Sequence, residues 1–125
     1  MKEGIIILGH GSRREDANLE IREFTDKLRE KNPDVNYQVA FLEFAQPSLD
    51  GAVEQLLKDE QVKKIIIMPL FLTVGNHMHR NIPDRIWKMK NTYPKIKFAL
   101  APHLGLDYRM MDVVQDRIKD NRELE

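Results

Sequence analysis

The chain has 125 residues, 42% of them hydrophobic and 32% charged, with 20 Lys and Arg balanced by 20 Asp and Glu. That length suits one ordinary domain, 1–125, with an ordered core expected over about 3–119. Zero net charge gives no long-range pull toward nucleic acid, the lack of Cys excludes disulfides and thiolate metal sites, and no apolar run approaches the ~20 residues that span a bilayer.

Met1-Lys2-Glu3-Gly4 passes straight into an apolar run, so no secretory leader is expected and a cytoplasmic location is the default. The first strand is expected over 4–9 and leads into Gly9-His10-Gly11-Ser12-Arg13. A helix follows over 15–31, with Ala17, Ile21, Phe24 and Leu28 spaced as one buried stripe. The second strand is expected over 36–44, closing on Glu43. After Pro47, Ser48 is placed to cap a helix that buries Leu49, Val53, Leu56 and Leu57. The third strand, 63–72, is continuously apolar and runs through Phe71 and Leu72 toward Gly75 and His77. The third helix is expected to open near Asn81-Ile82-Pro83, where proline suits a first turn, and to bury Ile82, Ile86, Met89 and Tyr93. A fourth strand, 96–101, precedes Pro102-His103-Leu104-Gly105. The last helix starts near Asp107 and presents Met110 or Met111, Val114 and Ile118, with a polar tail beyond.

Strand–helix alternation with connections of this length predicts a parallel sheet with right-handed crossovers. The expected fold is a three-layer α/β/α domain with a four-stranded, flavodoxin-like sheet of order 2-1-3-4. The first helix is expected on one face and the later helices on the other. Strands one and three are then neighbours, and the switch point between them is where open α/β sheets bind ligands.

All four histidines follow strands: His10, His77, His79 and His103. A single loop histidine is more often a cap or a surface group, but two delivered to one rim make a metal or proton-transfer site. On an extended segment His79 would share a side with His77, whereas on a helix the two diverge. Glu43, closing the second strand toward the same edge and among apolar neighbours, is expected to need a partner, either as a cap for the second helix or in a salt bridge with Arg13. Phe71, Leu72, Val74 and Met78, with Arg13, Arg14, Arg80 and Arg85 around them, suit a flat apolar molecule bearing carboxylates, or else a subunit interface. The Gly9–Arg13 loop could instead cradle phosphate, although it lacks the Lys-Ser/Thr of a P-loop.

Four segments together carry a family resemblance: Gly9-His10-Gly11-Ser12-Arg13; Glu43-Phe44-Ala45-Gln46-Pro47-Ser48; Pro69-Leu70-Phe71-Leu72 with Gly75, His77 and Ile82-Pro83; and Pro102-His103-Leu104-Gly105. In these the chain resembles class II tetrapyrrole chelatases of the CbiX/SirB type, in their short single-lobe form. The resemblance implies insertion of a divalent metal, cobalt first and nickel or iron as alternatives, into sirohydrochlorin with release of two protons, and no permanently bound cofactor. It implies that His10 and His77 bind the metal and accept protons, with Glu43 facing them. Ser12, Arg13, Phe71, Leu72, Gly75, Met78 and Arg80 are the expected substrate contacts. Imidazoles, which titrate near 6.5 in isolation, suit both tasks, and nitrogen with carboxylate ligands suits divalent cobalt, nickel or iron. One departure is Asn81, where the family usually has Asp. Long members carry two lobes around one cleft, so a single lobe implies a homodimer. A non-catalytic tetrapyrrole or metal carrier would use the same residues.

Overall fold

A computed structural model describes residues 2–124, apart from the side chain of His77. The element order is β1 (Lys2–Gly9), α1 (Glu15–Lys31), β2 (Asn36–Phe41), α2 (Leu49–Leu56), β3 (Val62–Pro69), α3 (Asn76–Thr92), β4 (Lys97–Leu100) and α4 (Met110–Lys119). The strands form one parallel sheet of order β2-β1-β3-β4, as the alternation predicts. Register pairs Leu8 with Ala40 on one side and with Pro69 on the other, so the tips of β1 and β3 end level.

The main core lies on the face where α2 and α3 pack. Ile6 and Leu8 from β1, Ile65 and Ile67 from β3, Leu49, Val53 and Leu56 from α2, and Ile82 and Met89 from α3 are buried there. Burial of this order is worth about 1.5–3 kcal/mol per large side chain. Ser48 caps α2 as expected, its Oγ accepting from the Gly51 backbone N–H at 3.1 Å. Leu57 is only partly buried.

Several boundaries and faces differ from the sequence reading. β2 stops at Phe41 instead of reaching 44, because Phe44 turns to φ +65° and the Phe41 N–H is taken by the Pro47 carbonyl. β3 stops at Pro69, and 70–75 is irregular. α3 opens at Asn76, five residues before Asn81, so Pro83 sits inside the helix and not in its first turn. On α1 the buried side chains are Asn18 and Thr25, while Ala17 and Phe24 are exposed. Periodicity finds the helix but leaves its phase to polar partners: Thr25 Oγ1 donates to the Ile21 carbonyl at 2.8 Å, and Asn18 binds the preceding loop. α4 buries none of its residues, contrary to the expected core role of Val114 and Ile118.

Candidate functional site

The carboxyl ends of β1, β2 and β3 carry the candidate residues. His10 is the first residue beyond β1. Its Nδ1 lies 3.6 Å from Glu43 Oε1, with both side chains about half exposed. That distance is longer than a hydrogen bond, so the pair is close but unlocked. The backbone holds the two residues together: Leu42 N–H donates to the Gly9 carbonyl at 3.1 Å and Glu43 N–H to the His10 carbonyl at 3.2 Å. The His10 ring meets Phe71, from the segment after β3, edge to face at 6.2 Å between centroids.

Gly11 is required by this arrangement. Its φ is +92°, and a Cβ there would stand 1.7 Å from the Glu43 carbonyl oxygen. Next to it, Ser12 is clamped by Asn18, whose Oδ1 accepts from the Ser12 N–H and whose Nδ2 donates to the Ser12 carbonyl, both at 2.9 Å. Asn18 is 2% exposed and fixes where the His10 loop sits on α1. The sequence reading missed this residue. Its only signal was an amide six positions past Ser12, on the helix that the loop enters. Ser12 Oγ accepts from the Arg14 N–H at 3.0 Å. With these amides engaged and Glu15 and Asp16 in the first turn of α1, the loop is a poor cradle for phosphate.

Arg13 holds its guanidinium 4.8 Å from the centroid of the Phe44 ring. Phe44 is 55% exposed and in the left-handed region, a conformation that costs a bulky residue on the order of 1–3 kcal/mol. The pair puts an aromatic face and a cation beside Glu43 on the solvent side.

His77 is the second residue of α3, so its backbone stands on the same rim, beyond the tip of β3. Its side chain lies outside the described residues, and so does the expected ring-to-ring geometry with His10. Among the described residues, no three His, Asp or Glu side chains cluster as a metal cage. Gly75, the residue before α3, has φ −75° and nothing within 4 Å of where a Cβ would stand. The space beside it is open.

His79 lies in the first turn of α3, so the extended alternative for 77–79 does not hold. It lines a cavity of about 200 Å³ with Met78, Ile82, Leu100 and His103, on the β4 side of the rim. Leu72 and Arg80 are exposed. The segment after β4 is tied to the one after β3, with Leu104 N–H donating to the Pro69 carbonyl at 3.1 Å and Gly105 N–H to the Phe71 carbonyl at 3.0 Å. The rim therefore has apolar walls from Phe44, Phe71 and Leu72 around an imidazole and a carboxylate that keep unspent bonding capacity.

Residues 4–121 match the model of the CbiX family. The chain is 34% identical over 117 residues to the chloroplastic sirohydrochlorin ferrochelatase of Arabidopsis thaliana, an overlap covering 94% of this chain and 52% of that protein. It is 28% identical to the sirohydrochlorin cobaltochelatase of Methanococcus aeolicus, over 95% of this chain and 99% of that one. The crystal structure of the sirohydrochlorin chelatase SirB from Bacillus subtilis subspecies spizizenii, in complex with cobalt, aligns with a TM-score of 0.87 at 28% identity, covering 96% of this chain and 51% of that chain. The chain spans about half the length of the plant and Bacillus relatives that it matches.

Proposed function

The chain belongs to the CbiX family, and from that premise we propose that it inserts a divalent metal ion into sirohydrochlorin, releasing two protons. The observation that carries this reading is the pairing of His10 with Glu43 at 3.6 Å on an open, apolar-walled rim whose neighbouring strand tip leads to His77. Insertion replaces two pyrrole N–H bonds with metal–nitrogen bonds. It therefore needs bases for two protons and ligands that release the ion once the macrocycle competes for it. His10 and His77 serve as both in this proposal. Glu43 stabilises the imidazolium that forms on His10 and passes its proton outward. A half-exposed pair held only by loop backbone gives up its cargo more easily than a closed cage does.

Phe71, Leu72 and Phe44 offer faces to the macrocycle, and Ser12, Gly75, Met78, Arg13 and Arg80 line its approach, the two arginines meeting its carboxylates. A second copy supplies the opposite wall, and the reaction takes place in the cytoplasm. Cobalt is the favoured ion; the named relatives include both iron and cobalt chelatases.

Anaerobic absorbance spectroscopy of sirohydrochlorin with this protein and cobalt, nickel or iron in turn tests the proposal. Faster spectral conversion than in the protein-free control, with one of the three ions, is the expected result. Binding of the tetrapyrrole with no acceleration by any ion would reduce the protein to a carrier.

A further inference from the structure

Three polar side chains on α1 reach out of the helix to backbone elsewhere. Asn18, Arg22 and Arg29 stand four and seven residues apart, so they share one stripe of the helix. Asn18 donates to the Ser12 carbonyl, Arg22 to the Gln46 carbonyl, and Arg29 to the Tyr37 carbonyl at 3.0 and 3.2 Å.

The ties differ in what they hold. Tyr37 lies within β2, where the ladder to β1 already fixes the backbone. Gln46 lies in the return arm of the loop that carries Glu43, outside any ladder. The outgoing arm is bonded to the end of β1 and to His10 through the Leu42 and Glu43 N–H groups. Phe44 then turns the chain at φ +65°. Two bonds hold the return arm, Phe41 N–H to the Pro47 carbonyl at 2.9 Å and Arg22 to the Gln46 carbonyl.

The Arg22 guanidinium also lies over the Phe41 ring, 5.1 Å from its centroid. The same ring packs against Gly9, where a Cβ would stand 3.3 Å away. Arg22 therefore touches both arms of the turn, at Phe41 before Glu43 and at Gln46 after it. A charged donor makes a stronger bond to a carbonyl than a neutral one, and the ring face adds to its hold.

We propose that Arg22 is a positioning residue for metal insertion: its tie from α1 to the Gln46 carbonyl sets the turn that keeps the Glu43 carboxylate beside His10. Asn18 fixes the His10 loop on the same helix one turn earlier, so α1 is a common reference for both members of the pair. An approach of 3.6 Å, with no hydrogen bond of its own, depends on how the two loops are held. The proposal rests on the chelatase reading, in which Glu43 stabilises the imidazolium on His10.

Steady-state insertion into sirohydrochlorin, with whichever of cobalt, nickel or iron the wild type inserts fastest, is measured for Arg22→Met, Arg22→Lys and Arg29→Met. Arg22→Met is expected to lower kcat about tenfold, below the roughly 10²-fold that a 1 Å misplacement can cost, with KM for sirohydrochlorin unchanged. Arg22→Lys keeps a charged donor and recovers part of the loss. Arg29→Met keeps the wild-type kcat even where its urea midpoint falls. In Glu43→Gln protein, adding Arg22→Met lowers kcat no further, because Arg22 acts through that carboxylate. Wild-type kcat in Arg22→Met, or the same loss repeated on top of Glu43→Gln, overturns the proposal.

Amide hydrogen exchange, which needs no metal, separates this outcome from failure of the chelatase reading. Arg22→Met is expected to speed exchange at the Phe41 and Glu43 amides and to leave α2 unchanged. Unaltered exchange at both amides means that Arg22 does not hold the turn, and the proposal falls. A wild type that converts no sirohydrochlorin with any of the three ions removes the chelatase reading, and with it the role in insertion, while the exchange result still reports the tie.

Discussion

The two ends of the sheet use polar side chains in opposite ways. At the amino ends, Asp59 accepts from the Gln61 N–H at 2.9 Å, from Asn36 Nδ2 at 3.1 Å and from Lys2 Nζ at 3.2 Å, tying β1, β2 and the turn before β3 together. The bond from the Gln61 backbone, followed by those from Asn36 and Lys2, holds its carboxyl below the usual range. At the carboxyl ends, the imidazole of His10 lies 3.6 Å from the Glu43 carboxylate, more than bonding distance. A carboxylate with three donors is spent on holding the fold, whereas one left half-exposed beside an imidazole is free to act on something that arrives.

The contrast is testable from both sides. The largest effects are expected at the carboxyl rim. His10→Ala and His77→Ala each lower the rate of metal insertion by about 10²–10⁴-fold, the range for lost proton-transfer groups, with an unchanged urea midpoint. If either retains the wild-type rate, the rim is not where the chemistry happens. Gly11→Ala is expected to cost more than about 3 kcal/mol in urea unfolding or to displace the loop. It combines a left-handed φ with a Cβ driven into the Glu43 carbonyl. A midpoint unchanged within error would mean that the loop has another resting place. Asn18→Ala leaves the Ser12 N–H and carbonyl without their partners and is expected to cost about 1–3 kcal/mol. Insertion should slow as well, since the loop that carries His10 loosens, and a drop in stability with full activity would separate the clamp from the site.

The smallest effect is at the other rim and depends on pH. The folded carboxyl of Asp59 titrates below its unfolded value, so its contribution is present above the unfolded pKa and fades as pH falls through the lower, folded one. Asp59→Asn should therefore lower the thermal midpoint at pH 7 by a small amount. Wild type and variant should converge in strongly acid solution, with metal insertion at neutral pH untouched. A difference that stays constant down to acid pH would point to lost packing instead of lost charge.

Much of this was legible in the chain itself. The continuous apolar runs of β1 and β3 identify central strands, and their succession by Gly9-His10-Gly11 and Gly75-Asn76-His77 puts the candidate residues on one rim before any coordinates. Ser48 marks the start of α2 because a capping hydroxyl acts within three residues. Asn18 was not legible as a site-forming residue, since its role needs the loop to fold back on the helix. Pro83 misdirected the start of α3, because proline also fits inside a helix whose earlier turn is held by other bonds, here His79 N–H to the Gly75 carbonyl at 3.0 Å.

Local pattern alone determined the alternation of elements, the central place of β1 and β3 and the rim to which the histidines are delivered. Apolar period and crossover handedness are properties of neighbouring residues and short connections. Tertiary structure decided the phase of α1, the separation of Glu43 from His10 and the isolation of α4. Each depends on which distant surfaces are available for burial, and Met111, Val114 and Ile118 look the same in sequence whether or not their own body offers them a place.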